Sequence, residues 1–291
     1  MNYIGSKLKL SSWIENEITN YVSGNLNEKV FCDLFAGTGI IGRTFKGKVK
    51  KVISNDLEEY SYVLNKNYVQ NSTELKNKEK YIEKLNNLPL IEDGFIYKNY
   101  CLGSGSDRQY FSDYNGKKID TIRNEIERLK LSQEIEENLY FYLLASLLES
   151  ADKVANTASV YGAYLKHLKK SASKNLILES AEFIITDSQN DVYRGDANQI
   201  IKEIEGDILY LDPPYNQRQY GANYHLLITI AEYKNFIPRG KTGMRDYKKS
   251  LYCSKKDVCN TFEDLIKNAK FKYIFLSYNN EGLMSLEDVY L

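Results

Sequence analysis

Four short apolar runs, each closing on or beside a small or acidic residue, constrain this chain more than any other feature. They are Val30–Phe35, Lys51–Asp56, Asp207–Asp212 and Lys272–Ser277. Near-continuous apolar character, rather than alternation, marks strands buried on both faces, as in a parallel sheet. Val192–Arg194, just before Gly195-Asp196, is a fifth and weaker candidate. Helical patterns lie between the runs, at Glu58–Asn71, Asn198–Ile204 and Val258–Lys270. Strands alternating with helices predict a doubly wound α/β sheet, in which ligands sit at the carboxyl ends of the strands.

The stretch from Glu74 to Thr186 breaks this rhythm. It is rich in lysine and tyrosine, with turn signals at Gly103–Ser106 and Asp113–Gly116. Ser132 reads as an N-cap with Glu134 and Glu136 in the first turn, opening a helix that is apolar on nearly all sides through Leu139–Ser150. The expectation is a sheet domain made of residues 1–73 and 187–291, with residues 74–186 as a mostly helical insertion. At 291 residues and 43% apolar, the chain has material for a sizeable core.

Charge and cysteine usage narrow the function classes. Acids and bases balance at 39 each, so net charge gives no support to a nucleic-acid partner and only local clustering could. Two basic stretches stand out, Lys234–Lys256, where Asp246 is the single acid, and Lys166–Lys174, which has none. Cys32, Cys101, Cys253 and Cys259 have neither metal-binding nor disulfide-framework spacing, so no metal is expected. With no export leader and no apolar stretch near membrane-spanning length, the expectation is a cytoplasmic protein without a membrane partner.

Two motifs carry chemistry. Asp33-Leu34-Phe35-Ala36-Gly37-Thr38-Gly39 is a glycine loop following the first run, and Asp56 closes the second. This pair suits a nicotinamide dinucleotide, whose ribose hydroxyls an acid would bind, and equally suits S-adenosylmethionine. Asp212-Pro213-Pro214-Tyr215, directly after the third run, is more discriminating. Prolines fix φ and lack N–H groups, so this segment offers carbonyl acceptors beside the Asp212 carboxylate. Two such acceptors can hold both hydrogens of an exocyclic amine and free its lone pair to attack a sulfonium methyl. Tyr215 offers a face on which a base lifted from a duplex can stack. A redox enzyme has no need of this tetrapeptide.

With these motifs in this order, the chain resembles the D12 class of adenine-N6 DNA methyltransferases over most of its length. Tyr3-Ile4-Gly5-Ser6-Lys7 matches the N-terminal motif, Asp33 to Gly39 the F-x-G-x-G motif, Asp56 the ribose-binding acid and Asp212 to Tyr215 the catalytic motif. Gly195-Asp196-Ala197 is similar to the loop that meets the cofactor adenine. The resemblance implies a class I methyltransferase fold that uses S-adenosylmethionine on a flipped-out adenine in double-stranded DNA. It implies a cofactor site drawn from Tyr3, Lys7, Asp33, Phe35, Gly37, Gly39, Asp56, Asp196 and Asp212. Pro213, Pro214 and Tyr215 join Asp212 in catalysis, the insertion holds the target-recognition region, and a cognate restriction endonuclease is a candidate partner.

Two alternatives stay open, transfer to cytosine N4 and a truncated, inactive DNA-binding remnant. The second arises because family members usually continue, beyond the position of Leu291, with a helix and a β-hairpin that completes the sheet. The sequence reading expects that hairpin to be missing and Lys272–Ser277 to lie at or near a sheet edge.

Overall fold

The computed structural model describes residues 6–289. They form two compact units, one built from residues 6–73, Phe183–Gln219 and Lys248 onward, the other from Glu74–Glu182 and Tyr220–Tyr247. The second unit therefore takes in a segment, Tyr220–Tyr247, that the sequence pattern assigns to the sheet domain.

The first unit is a five-stranded, wholly parallel sheet in the order β3-β2-β1-β4-β5. Its strands are β1 (Val30–Asp33), β2 (Lys51–Asp56), β3 (Asp191–Arg194), β4 (Glu205–Leu211) and β5 (Lys270–Leu276). The helices of this unit are α1 (Ser11–Tyr21), α2 (Ile40–Phe45), α3 (Glu59–Asn65), α8 (Ala197–Ile200), α11 (Val258–Asn268) and α12 (Leu286–Val289). Apolar residues cover both faces of the sheet. Phe31, Val52, Ile208 and Tyr210 pack with Ile14, Ile18 and Phe45 on one side. Cys32, Ile53, Leu209 and Leu211 pack with Ile201, Val258, Phe262 and Leu265 on the other. Two-sided burial is why β1, β2 and β4 read as apolar runs instead of alternating ones.

The weak candidate at Val192–Arg194 is a full strand, and β5 forms one edge, the position expected for Lys272–Ser277. Lys270, assigned from the sequence to the end of a helix, instead opens β5. The strand order reverses direction at β1, since β2 lies on one side of it and β4 on the other. Such a switch point opens a crevice at the carboxyl ends of the strands. The loops after β1 and β4 are the glycine loop and the D-P-P-Y segment.

The second unit is helical, with α4 (Lys78–Asn86), α5 (Phe95–Tyr100), α6 (Asp113–Leu131), α7 (Glu137–Lys153), α9 (Tyr220–Asn223) and α10 (His225–Glu232). The expectation that Ser132 caps the buried helix was wrong. Ser132 follows the last turn of α6, its hydroxyl donates back to the Leu129 carbonyl, and α7 begins at Glu137. Gln133 adopts a left-handed φ of 58°, and the Glu134 N–H reaches the Leu129 carbonyl at 3.0 Å. This left-handed stop ends one helix where the composition suggested a start for the next. Among the described residues no helix is long and apolar enough to cross a membrane.

Candidate active site

Asp33 closes β1, and the chain then turns through Gly37 (φ 52°) and Gly39 (φ 76°), both in the left-handed region that glycine reaches without strain. A Cβ at Gly39 would lie 2.7 Å from the Asn65 Oδ1, so the backbone must be bare there. The loop is held from beneath. The Gly37 N–H donates to Asp56 at 2.8 Å, Asn65 donates to the Gly37 carbonyl at 3.1 Å, and the Ala36 N–H donates to the Asn55 carbonyl at 2.9 Å. The Asn65 Oδ1, buried against Gly39, has no hydrogen-bond donor.

Asp33 itself is only 2% exposed. One of its oxygens accepts the Gly42 N–H of α2 at 3.2 Å, and the other, Oδ1, has no partner. Burial, reinforced by the nearby Asp212 charge, pushes its carboxyl up to about 8. Burial also raises Asp56 above the usual carboxylate range, against N–H bonds from Glu58 and Gly37 that lower it.

Across the switch point, Asp212 follows β4 and pairs with Lys7 at 2.5 Å. Burial raises the Asp212 carboxyl, and the Lys7 ammonium opposes that shift. The next residues are tied down at several points. The Tyr215 carbonyl accepts the Leu283 N–H at 3.0 Å, and Asn216 accepts the Arg218 N–H at 2.9 Å. The Gln219 amide meets Ser250 twice, accepting its N–H at 2.8 Å and donating to its carbonyl at 3.3 Å. A primary amide joined to one backbone residue at both ends fixes the exit of the loop much as a strand pair would. Gln217 and Arg218 point into solvent, while Tyr215 is half-buried.

On the far side of β2, Asp196 caps α8, accepting the Asn198 N–H at 3.0 Å, and is exposed. Asn55 joins three strand ends, donating to the Leu34 and Gly195 carbonyls at 3.1 and 3.2 Å and accepting the Gly195 N–H at 3.0 Å. Phe35 meets Tyr252 edge-on, with centroids 4.9 Å apart.

Asp33, Gly37, Gly39, Asp56 and Asp212 thus come together at the carboxyl ends of the adjacent strands β2, β1 and β4. Asp196 stands one strand further along, and Tyr3 lies outside the described residues. Two supporting residues, Asn55 and Asn65, went unread in the sequence. A polar residue inside an apolar strand is the signal that would have found Asn55. His225 belongs to the helical unit, where its ring packs against Tyr100 and Tyr110 and its Nε2 lies 2.9 Å from the Tyr161 carbonyl. Burial pushes it down to about 4, so it stays neutral at physiological pH. No group of three or more His, Cys, Asp or Glu side chains among the described residues could hold a metal ion.

Known proteins are similar to this chain over nearly its whole length. Residues 3–290 match the D12 class N6 adenine-specific DNA methyltransferase family. The type II methyltransferase M.NlaIII of Neisseria lactamica is 63% identical over 99% of this chain and 86% of its own length. M.CviAII of Paramecium bursaria Chlorella virus 1 is 40% identical, with the same two coverages. M.FokI of Planomicrobium okeanokoites is 42% identical over 99% of this chain, which spans only 46% of that longer protein. No solved structure matches the chain.

Proposed function

The chain belongs to the D12 class of N6 adenine-specific DNA methyltransferases, and from that premise we propose how its own residues carry the reaction. The enzyme methylates adenine in DNA, and the family match disfavours the cytosine-N4 alternative.

The donor is S-adenosylmethionine, which supplies a methyl group on a sulfonium. The residues at the switch point fit such a ligand. A bare glycine turn leaves room for backbone approach, and Asp56 stands at the strand end suited to ribose hydroxyls. Asp33 and Asp212, two carboxyls raised by burial, would be relieved by a cationic neighbour. Lys7 is the cation suited to the ligand's carboxylate, as Asp196 and Phe35 are suited to its adenine end.

The observation that carries the reading is the Lys7–Asp212 ion pair beside the glycine loop. A carboxylate arriving at Lys7 competes with Asp212 for the ammonium and leaves the Asp212 carboxylate available as an acceptor. Asp212 and a carbonyl of the Pro213-Pro214 segment then hold the hydrogens of the adenine amine. The amine nitrogen moves toward a tetrahedral form, its lone pair no longer delocalised into the ring. Tyr215 stacks on the flipped base, and the Gln219–Ser250 bridge keeps the segment from moving as the base enters. Relatives named as type II and modification methylases support a place in restriction-modification, with a cognate endonuclease as partner.

Asp212→Ala tests this assignment. It should abolish transfer of tritiated methyl from S-adenosylmethionine to DNA while leaving DNA binding intact. Loss of one such preorganised acceptor costs at least about 2.7 kcal/mol, or roughly a hundredfold. Transfer within tenfold of wild type would remove Asp212 from the mechanism.

A further inference from the structure

In the helical unit, the chain after α10 forms an arm that is held far more firmly than its exposed surface requires. Arg239 and Met244 exchange backbone hydrogen bonds at 2.9 and 2.8 Å, closing a tight hairpin whose tip turns at Gly240 (φ 65°) and Gly243 (φ 68°). Two side chains from elsewhere in the unit grip the turn. Arg108 donates to the Gly240 carbonyl at 3.1 Å and to the Asn99 carbonyl at 3.2 Å, and the buried Tyr100 hydroxyl donates to the Gly243 carbonyl at 2.7 Å. A Cβ at Gly243 would lie 2.7 Å from the Tyr100 ring, so the hairpin sits close against that ring. At the base, Phe236 packs on Phe95 and under the Arg245 guanidinium, which is ion-paired with Glu232.

What this frame presents to solvent is unusual. Ile237 is 86% exposed, although both its neighbour Phe236 and the hairpin beyond it are fixed. Pro238 follows and stiffens the backbone beside it. Lys234, Arg239 and Lys241 are all exposed, and the one acid in the segment, Asp246, pairs with Arg239 at 2.9 Å. A rigid, cationic turn bearing one bare aliphatic side chain matches what a DNA groove accepts. Cations meet the phosphates, and an apolar wedge meets the bases, partly unstacking a step. Since the arm is already ordered, little conformational entropy is lost on binding.

We propose that the Lys234–Asp246 arm enters a groove of the target duplex, with Ile237 against the bases and Lys241 and Arg239 against phosphates. The inference rests on the adenine-methylating reading above and adds the element that meets the duplex.

The test uses the full chain. Wild type is expressed in a methylation-free host, and its modified-adenine motif is read by sequencing the host DNA. Duplexes carrying that motif, with 2-aminopurine at the target adenine, then report base extrusion for wild type, Ile237→Ala and Lys241→Ala. Both side chains are exposed, so both variants should keep the wild-type melting temperature. Ile237→Ala should lose most of the 2-aminopurine brightening and slow methylation by about tenfold or more, the size expected of one direct interaction with a base. Lys241→Ala should weaken binding to all duplexes alike and lower the salt slope by about 0.9. The proposal fails if both variants methylate within twofold of wild type with unchanged brightening and salt dependence. It fails equally if Ile237→Ala changes only the oligomeric state, which would make Ile237 a contact between copies of the chain. A wild-type chain that modifies no adenine would instead overturn the underlying reading, and the arm's role with it.

Discussion

Replacing Asp33 by Asn removes a charge that the fold accommodates poorly, and the consequence depends on pH. The wild-type carboxyl is 2% exposed, has one oxygen without a partner, and is pushed by burial and the Asp212 charge from 3.8 to about 8. Because its value in the folded chain lies above that in the unfolded chain, the folded form retains a proton that the unfolded form has released. The stability contributed by the neutral carboxyl is therefore complete below about pH 4 and is lost progressively as pH rises through about 8. At 1.36 kcal/mol per pH unit the full interval gives an upper bound of roughly 5–6 kcal/mol. Lys7 and neighbouring dipoles relax around the new charge, so a loss on the order of 2 kcal/mol between about pH 5 and pH 8.5 is expected. At about 2–4 °C per kcal/mol this corresponds to roughly 4–8 °C in melting temperature. In Asp33→Asn the amide oxygen would still accept the Gly42 N–H, and the side chain has no proton to lose. Melting curves of the ligand-free proteins should therefore diverge with pH, the variant gaining on wild type as pH rises. Calorimetry with S-adenosylmethionine in buffers of different ionisation enthalpy adds a second readout. A cationic ligand beside Asp33 should expel its proton near pH 7 from wild type and not from the variant. Parallel melting curves from pH 5 to 8.5, together with equal proton release, would refute the reasoning.

Two further outcomes check the remaining site residues. Tyr215→Phe should retain most activity, whereas Tyr215→Ala should lose roughly 1–3 kcal/mol of base stacking, measured as methylation rate; equal rates for the two variants would argue against stacking. Lys248 and Lys249 are exposed and immediately precede Ser250, the residue bridged to Gln219. Replacing both by Ala should weaken binding to all duplexes about equally and lower the salt slope by about 0.9 for each phosphate released, whereas altered discrimination between sequences would mark them as recognition residues.

The parts of this protein that were legible in the sequence are those whose physics is local. Strands buried on both faces must be apolar along their length, so β1, β2 and β4 appeared as runs; β5 also reads as a run, although it is an edge strand with none of its residues fully buried. The fifth, β3, is short and only half-buried at three of its four positions, and its signal was correspondingly weak. The glycine loop and the D-P-P-Y segment were legible because each places its groups within a few consecutive residues. Long-range ties were not. Nothing near Gln219 announces that its amide bridges to Ser250, 31 positions on. Ser132 misled for a related reason: a serine before two glutamates has the composition of a helix start, but this serine caps the C-terminus of α6, its hydroxyl donating to the Leu129 carbonyl, and the left-handed Gln133 follows it.

The lysine-rich middle of the chain shows why composition alone could not locate the DNA-facing surface. Three charged residues on α6 are almost completely buried, and each closes the end of a different helix. Lys118 donates to the Leu85 and Asn86 carbonyls at the end of α4. Asp120 accepts the Ile96 and Tyr97 N–H groups at the start of α5, both at 2.8 Å. Arg123 donates to the Ile230 and Ala231 carbonyls near the end of α10, both at 3.0 Å. Each charge faces the helix terminus whose partial charge is opposite to its own, which offsets the desolvation that burial imposes. These groups are committed to holding four helices together and are lost to any phosphate. A net-charge count over residues 74–186 therefore includes cations with no route to DNA. Several helix cations are exposed but paired with carboxylates, among them Lys84 with Glu125, Lys98 with Asp93, Arg128 with Glu125 and Glu134, and Lys153 with Glu179. Lys241 on the braced hairpin and Lys166 and Lys170 beyond α7 are instead exposed on segments outside the helices. Lys241, Lys166 and Lys170 are therefore the cations of this unit at which phosphate contact is first to be tested, because several helix cations are either buried or paired with carboxylates.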